Sequence, residues 1–197
     1  MIDFIGEQER LSRKVILEDN FDELNTVAGA SIRSVGNKIY SSIVVCDYSS
    51  MDVIDFSLSM KTTDFPYISG LQFYREGPSI ISSFKKLKSA PNLLLLKSSG
   101  ICHPRFFGMA SQIGVVLDIP TIGITKNLLC GHVKGDKIIY GGRQVGWKLG
   151  NIYVSPGHMV SLDSSLRIVK NCMKGHRLPE PIYLAQKILR EHIFNKN

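Results

Sequence analysis

The sequence has no C-x-x-C pair: its four cysteines, Cys46, Cys102, Cys130 and Cys172, are scattered through 197 residues. Neither a zinc ribbon nor a disulfide framework is indicated, and buried free thiols are expected. No apolar run approaches the roughly 18 residues that would span a bilayer, so no membrane partner is expected. The opening stretch "MIDFIGEQERLSRK" meets acidic residues before an apolar region forms. No secretory signal is read there, and a cytoplasmic location is expected. Repeats, low-complexity tracts and linkers are missing as well, and the length suits one monomeric domain over residues 1–197. Acid is the scarcer charge, with 17 Asp and Glu against 24 Lys and Arg, giving a net charge of +7. That balance favours polyanionic partners through counterion release.

What is present is a sequence of periodicities. Residues 7–18, "EQERLSRKVILE", place Leu11, Val15 and Ile16 on one helical face. Then "TVAGASIR" and "KIYSSIVVCDYS" read as strands joined by the turn "SVGN", and "VIDFSLSMK" supplies a third strand. From Gly77 the stripe Ile80, Phe84 and Leu87 predicts a helix, followed by Leu93 to Leu96, apolar on both faces like a central strand. "GMASQIGVVLD" predicts another helix and "IPTIGIT" another strand, an alternation that implies parallel strands with crossover helices. "KIIYGGRQVGWKLGNIYVSPG" carries hairpin punctuation, and Ile182, Ala185, Leu189 and Ile193 mark a final helix entered through Pro179 and Pro181. An antiparallel meander feeding parallel strands, flanked by helices, is the α/β arrangement of a ribonuclease-H-like mixed sheet.

Three blocks carry chemistry. "DFPYISGLQFYREGP" sets a Pro-Tyr turn and a glycine ahead of an Arg-Glu pair; alone it would be a rigid loop with a solvated charge pair. Together with "GICHPRFFGMASQIGVVLDIPTIGITK" and "YVSPGH", in this order and spacing, it closely resembles endonuclease V, the family that cleaves nucleic acid near deaminated adenine. The resemblance runs from the first helix through "VAGAS" to "GHRLPEPIYLA", nearly the whole chain.

The resemblance implies phosphodiester hydrolysis with magnesium, a hard cation that takes oxygen ligands, held by three carboxylates. Glu76 matches the one in the "RE" motif. Ser31 stands where the first is expected, and Lys97 opens "KSSG" where the family reads "DGxG". Three carboxylates would carry a formal charge of −3, whereas Ser31, Glu76 and Lys97 together carry none. Two unit charges about 4 Å apart interact by roughly 4 kcal/mol at an effective dielectric near 20, and an ammonium facing a dication would meet about twice that as repulsion. The alternative use of Lys97 is as a fixed cation that pairs with Glu76 and contacts a phosphate.

The other positions carried by the resemblance match. Lys126 in "GITK" aligns with an active-site lysine near the scissile phosphate, and His158 in "SPGH" with a histidine of the metal and phosphate region. Taken alone, such a lysine is usually solvated and a lone histidine usually structural. Gly100, His103 and Arg105 correspond to the segment that reads the deaminated base, and Gly70 and Leu71 to the loop that closes over it. Pro66, Tyr67 and Ile68 match a strand-separating wedge, in which Tyr67 replaces lost base stacking, while Ser69 takes the place of the wedge's last proline. Tyr183 stands where a basic residue is usual. The expected function is recognition of DNA or RNA, inosine-containing, with cleavage impaired or lost. An active nuclease with a rebuilt site and a non-catalytic scaffold are the alternatives.

Overall fold

A computed structural model of the chain describes residues 3–194. In chain order the elements are α1 (Phe4–Ser12), β1 (Thr26–Val35), β2 (Lys38–Asp47), β3 (Val53–Thr62), α2 (Gln72–Phe84), β4 (Leu93–Leu96), α3 (Met109–Leu117) and β5 (Thr121–Thr125). They continue with β6 (His132–Lys134), β7 (Lys137–Tyr140), β8 (Arg143–Leu149), β9 (Ile152–His158), α4 (Leu162–Asn171) and α5 (Glu180–Phe194). All the strands join one sheet in the order β3-β2-β1-β4-β5-β9-β8-β7-β6. β1, β2 and β3 form the antiparallel meander, and β4 and β5 run parallel to β1. β9 then adds antiparallel to β5, and β8, β7 and β6 continue the sheet beyond it. The ribonuclease-H-like mixed sheet flanked by helices is therefore present.

Strand alternation sends side chains to two cores. Val27, Leu93 and Leu95 face one side and pack with Ile168 and Val169 of α4 and Ile182 and Ala185 of α5. Ala28, Ala30, Leu94 and Leu96 face the other, against Ile80 of α2 and Met109 and Ile113 of α3. Two close approaches fix the helices. A Cβ on Gly29 would lie 2.2 Å from the Pro181 backbone, so α5 starts directly on the β1 main chain. α2 is held by serines: Ser41 Oγ donates to the Ser79 carbonyl at 2.8 Å, Ser79 Oγ to the Ile39 carbonyl at 2.9 Å, and Ser57 Oγ to the Ser83 carbonyl at 2.8 Å. Ser41, Ser79 and Ser83 are fully buried, so these bonds satisfy groups that would otherwise be costly.

The structure departs from the periodicity in four places. α1 ends at Ser12, not near residue 18, because Ile16 leaves to bond β9: its N–H donates to His158 Nδ1 and its carbonyl accepts from Met159. α2 begins at Gln72 and carries Pro78 inside it; Tyr74 packs in its first turn against Phe4 and Phe65, contacts that support a start ahead of Gly77. β6 extends the hairpin, and α4 was not anticipated, its apolar stripe being diluted by Ser164 and Ser165.

Candidate functional site

Strand parity determines where the substituted positions point. Ser31 is two residues beyond Gly29 and Lys97 two beyond Leu95, so both continue the side of the sheet covered by α5. Their strands are hydrogen-bonded neighbours, with Ala30 opposite Leu96 one residue earlier. Glu76 comes from α2, on the other side, and borders a cavity of ≈ 190 Å³ with Ile80, Leu96 and Met109. Lys97, at the sheet edge, also borders this cavity and two others. One, of ≈ 340 Å³, lies between Tyr67, Gln72, Glu76, Ser98, Asn127 and Leu128. The other, of ≈ 360 Å³, lies between Ser31 and the exposed stripe of α5.

Electrostatics at this junction follow from burial and like charge. Desolvation raises the Glu76 pKa, opposed by Arg75 and Lys97. Desolvation lowers that of Lys97, as does the charge of Lys126, while Glu76 works the other way. Lys126 is thus electrically part of the edge, although no ion pair joins Glu76 to Lys97 among the described residues. The donor set does not fit magnesium. A hydroxyl, one carboxylate and an ammonium stand where the resemblance implies three carboxylates, and among the described residues no group of three His, Cys, Asp or Glu could hold a metal ion.

The segment that the resemblance assigns to base recognition is built as a clamp. The Gly70 carbonyl accepts from Gln8 Nε2 at 3.0 Å, Arg105 Nη2 at 2.9 Å and His103 Nε2 at 3.1 Å. His103 Nδ1 accepts the Arg105 backbone N–H at 3.2 Å, which assigns the proton to Nε2. Burial, and secondarily the charge of Arg105, pushes the His103 pKa down to about 4, so the ring is neutral near pH 7. Gly70 itself takes φ +81°, and a Cβ there would lie 3.0 Å from Arg105 Nη2. His103 and Arg105 therefore stand behind the Gly70 and Leu71 loop and do not line the ≈ 340 Å³ cavity, contrary to direct base contact. Behind Gly100, space is equally closed: its Cβ would meet the Pro156 carbonyl oxygen at 2.2 Å. The wedge side chains do project, with Tyr67 66% and Ile68 41% exposed, and Pro66 is exposed beside them.

His158 is not at this edge. It pairs with Thr121 at the start of β5, whereas Lys126 follows Thr125 at the other end, a separation of five residues or about 16 Å of strand. Its ring is buried, accepts the Ile16 N–H at 3.2 Å, and has a pKa lowered by desolvation. The resemblance's placement of His158 beside metal and phosphate is corrected on this ground: it ties the α1 exit to β9. Sequence reading also missed residues that the fold brings in, namely Gln8 in the clamp and Gln186, Lys187 and Arg190 beside Ser31 and Lys97. Their signal was the polar stripe of α5, at positions 183, 186, 187 and 190, next to its apolar one.

The family model for Endonuclease V matches residues 9–187. The chain is 38% identical over 203 aligned residues to Endonuclease V of Dictyoglomus turgidum, covering 96% of this chain and 86% of the relative. It is also 38% identical over 197 residues to that of Rippkaea orientalis, covering 92% and 86%. Among solved structures it is similar to Endonuclease V from Streptomyces avermitilis, with TM-score 0.88, 26% identity and coverage of 98% and 92%. A variant of Ciona intestinalis Endonuclease V, in complex with a 23mer DNA containing an inosine followed by a ribo-adenosine, gives TM-score 0.88, 26% identity and coverage of 98% and 97%. Matched by the family model over residues 9–187 and 38% identical to a relative across 96% of its length, the chain belongs to the endonuclease V family.

Proposed function

We propose that this protein recognises inosine or deoxyinosine in DNA or RNA and that its metal-dependent phosphodiester cleavage is impaired or lost. The observation that carries this reading is Lys97 just past the end of β4, bordering all three cavities of the edge, with Glu76 the one carboxylate among the described residues that lines any of them. Recognition is supported by the exposed Tyr67 and by the ≈ 340 Å³ cavity below it, within the range of about 300–1,000 Å³ usual for small-ligand clefts. It is supported too by the complex of the Ciona relative with inosine-containing DNA.

The residues divide the work by position. Tyr67 would stack where a base has left the helix, and the Gly70 loop, held by His103, Arg105 and Gln8, would close over it. Lys97 and Lys126 would meet the backbone phosphate. Magnesium, where a site fits it, stabilises charge on the transferring phosphate; Ser31 and Lys97 supply no carboxylate for it here.

The test uses a labelled single strand with one inosine and an adenine control, with magnesium and then manganese, at high protein concentration, with binding recorded on a native gel. Inosine-dependent binding without a cut is expected. A metal-dependent cut near inosine would show that Glu76 and unassigned ligands suffice, and equal binding of the two strands would remove the recognition half of the reading.

A further inference from the structure

A groove runs between β8 and α4, away from the substituted positions. Trp147 and Leu149 of β8 pair with Val154 and Ile152 of β9, which belong to the core that α4 covers, so both face the α4 side. From α4 and its exit, Leu166, Lys170 and Met173 border the same space at helical spacing. Two cavities result, of ≈ 330 Å³ at Trp147 and ≈ 370 Å³ at Leu149, and Lys170 lies on the wall of both.

The groove combines an aromatic floor with a basic rim. Trp147 Nε1 donates to the Leu162 carbonyl at 2.8 Å, which fixes the ring, and Lys137 Nζ lies 6.0 Å from the ring centroid. Arg167, Lys170 and Arg177 border the cavities, with Asp163 the one carboxylate among the described residues that lines either. Even with Arg167 engaged by Ser164 Oγ at 2.9 Å, the rim is net positive. A fixed aromatic ring followed by cations matches a single nucleic-acid strand, whose bases stack while its phosphates meet positive charge. An acidic peptide would satisfy the cations and leave the ring without a partner.

The groove also leads to the edge described above. Leu149 lies level with Ile152, and Tyr153 beside it pairs with Thr125, so Lys126 is level with the β8–β9 turn. Ile124 faces the α4 side, and Lys126, two residues on, continues it. From Lys126 to Trp147 is two strand spacings across and two residues along, about 12 Å.

We propose that the β8–α4 groove is a second nucleic-acid contact, taking the single-stranded flank of the strand held at the edge, with a base stacked on Trp147 and phosphates met by Lys170 and Arg177. It rests on the nucleic-acid reading above and adds where the flank runs and what holds it.

Trp147 is the one tryptophan of the sequence, so intrinsic emission reports on this site alone. The test records that emission with unlabelled strands and anisotropy with labelled ones, in EDTA across a salt series, for the wild type and a K170A/R177A double variant that leaves the ring in place. The strands carry inosine or adenine, with a flank of about eight nucleotides on one side, on the other, or on neither. Both substituted residues are exposed, and the melting midpoint checks that the variant is folded. Quenching by a flanked strand and none by the unflanked one is expected. Each lost phosphate contact lowers the slope of log affinity against log salt by about 0.7 for single strands, so the double variant should lose about 1.4 on the quenching strand. Flanked strands that bind without quenching, or with an unchanged slope in the variant, overturn the groove while leaving inosine recognition standing. Equal binding of inosine and adenine strands, with quenching intact, overturns inosine recognition and supports the groove. Quenching by poly-glutamate and by no strand assigns the groove to an acidic protein and overturns the proposal, and binding of no strand overturns both readings.

Discussion

Acidification should loosen the clamp on the Gly70 carbonyl through His103, and a glutamine at that position should remove the effect. The imidazole is 1% exposed, donates from Nε2 to the Gly70 carbonyl and accepts at Nδ1, so the fold holds it neutral, with a pKa pushed from 6.5 down to about 4. An unfolded chain takes up the proton near pH 6.5, while the folded chain resists it until about pH 4. The stability tied to this group is therefore present above pH 6.5 and is lost as pH falls through that window. At about 1.4 kcal/mol per pH unit the gap is worth about 3 kcal/mol, an upper value because opening of the clamp alone would admit the proton. Urea unfolding between pH 7 and pH 4, on the wild type and on His103→Gln, reads it directly. Glutamine keeps a donor at the Nε2 position without titrating, so its stability should fall less steeply with acid. Identical slopes, or an imidazole signal titrating near pH 6.5 in the folded protein, would refute the assignment.

Replacing Ser31 and Lys97 together by aspartate should create magnesium binding, since both point to one side of neighbouring strands; calorimetry without heat would mean that Glu76, across the sheet edge, cannot join them. Tyr67→Ala should weaken binding of inosine strands several-fold with no change in melting midpoint, because the ring is 66% exposed; unaltered affinity would remove its role as a wedge. Gly29→Ala should destabilise the fold by about 2 kcal/mol or more, since the new Cβ would lie 2.2 Å from the Pro181 backbone and overpacking costs about 1–3 kcal/mol. A variant as stable as the parent by urea midpoint would show that α5 can shift.

The central sheet was legible because its signals are local. Leu93–Leu96 is apolar on both faces, β1 to β3 are β-rich runs separated by turns, and the fold needs only their order. Ser31, Glu76 and Lys97 were grouped by the family resemblance, and Ser31 and Lys97 do fall beside each other on neighbouring strands. The rest depended on contacts between distant segments. Nothing in "SPGH" says which end of β5 its histidine will face; that is set by the antiparallel register of β9. Arg190 borders the same cavity as Lys97 because α5 crosses β1 at Gly29, and Gln8 joins the clamp across 62 residues. The clamp also explains why His103 and Arg105 were expected at the base: the motif places them next to it in sequence, and their hydrogen bonds turn them to the loop's back.

The serines that join α2 to the meander have a consequence for how this site could change its chemistry. Ser79 and Ser83 lie one and two turns beyond Glu76 and bond the strand backbone directionally, so sliding α2 by a turn would strand several buried hydroxyls at once. Glu76 is thereby aimed at the sheet edge by bonds that involve no ligand and no metal. The scaffold thus carries its own alignment, and a residue such as Lys97 just past a strand end is free to exchange acid for base while the frame that presents it stays the same.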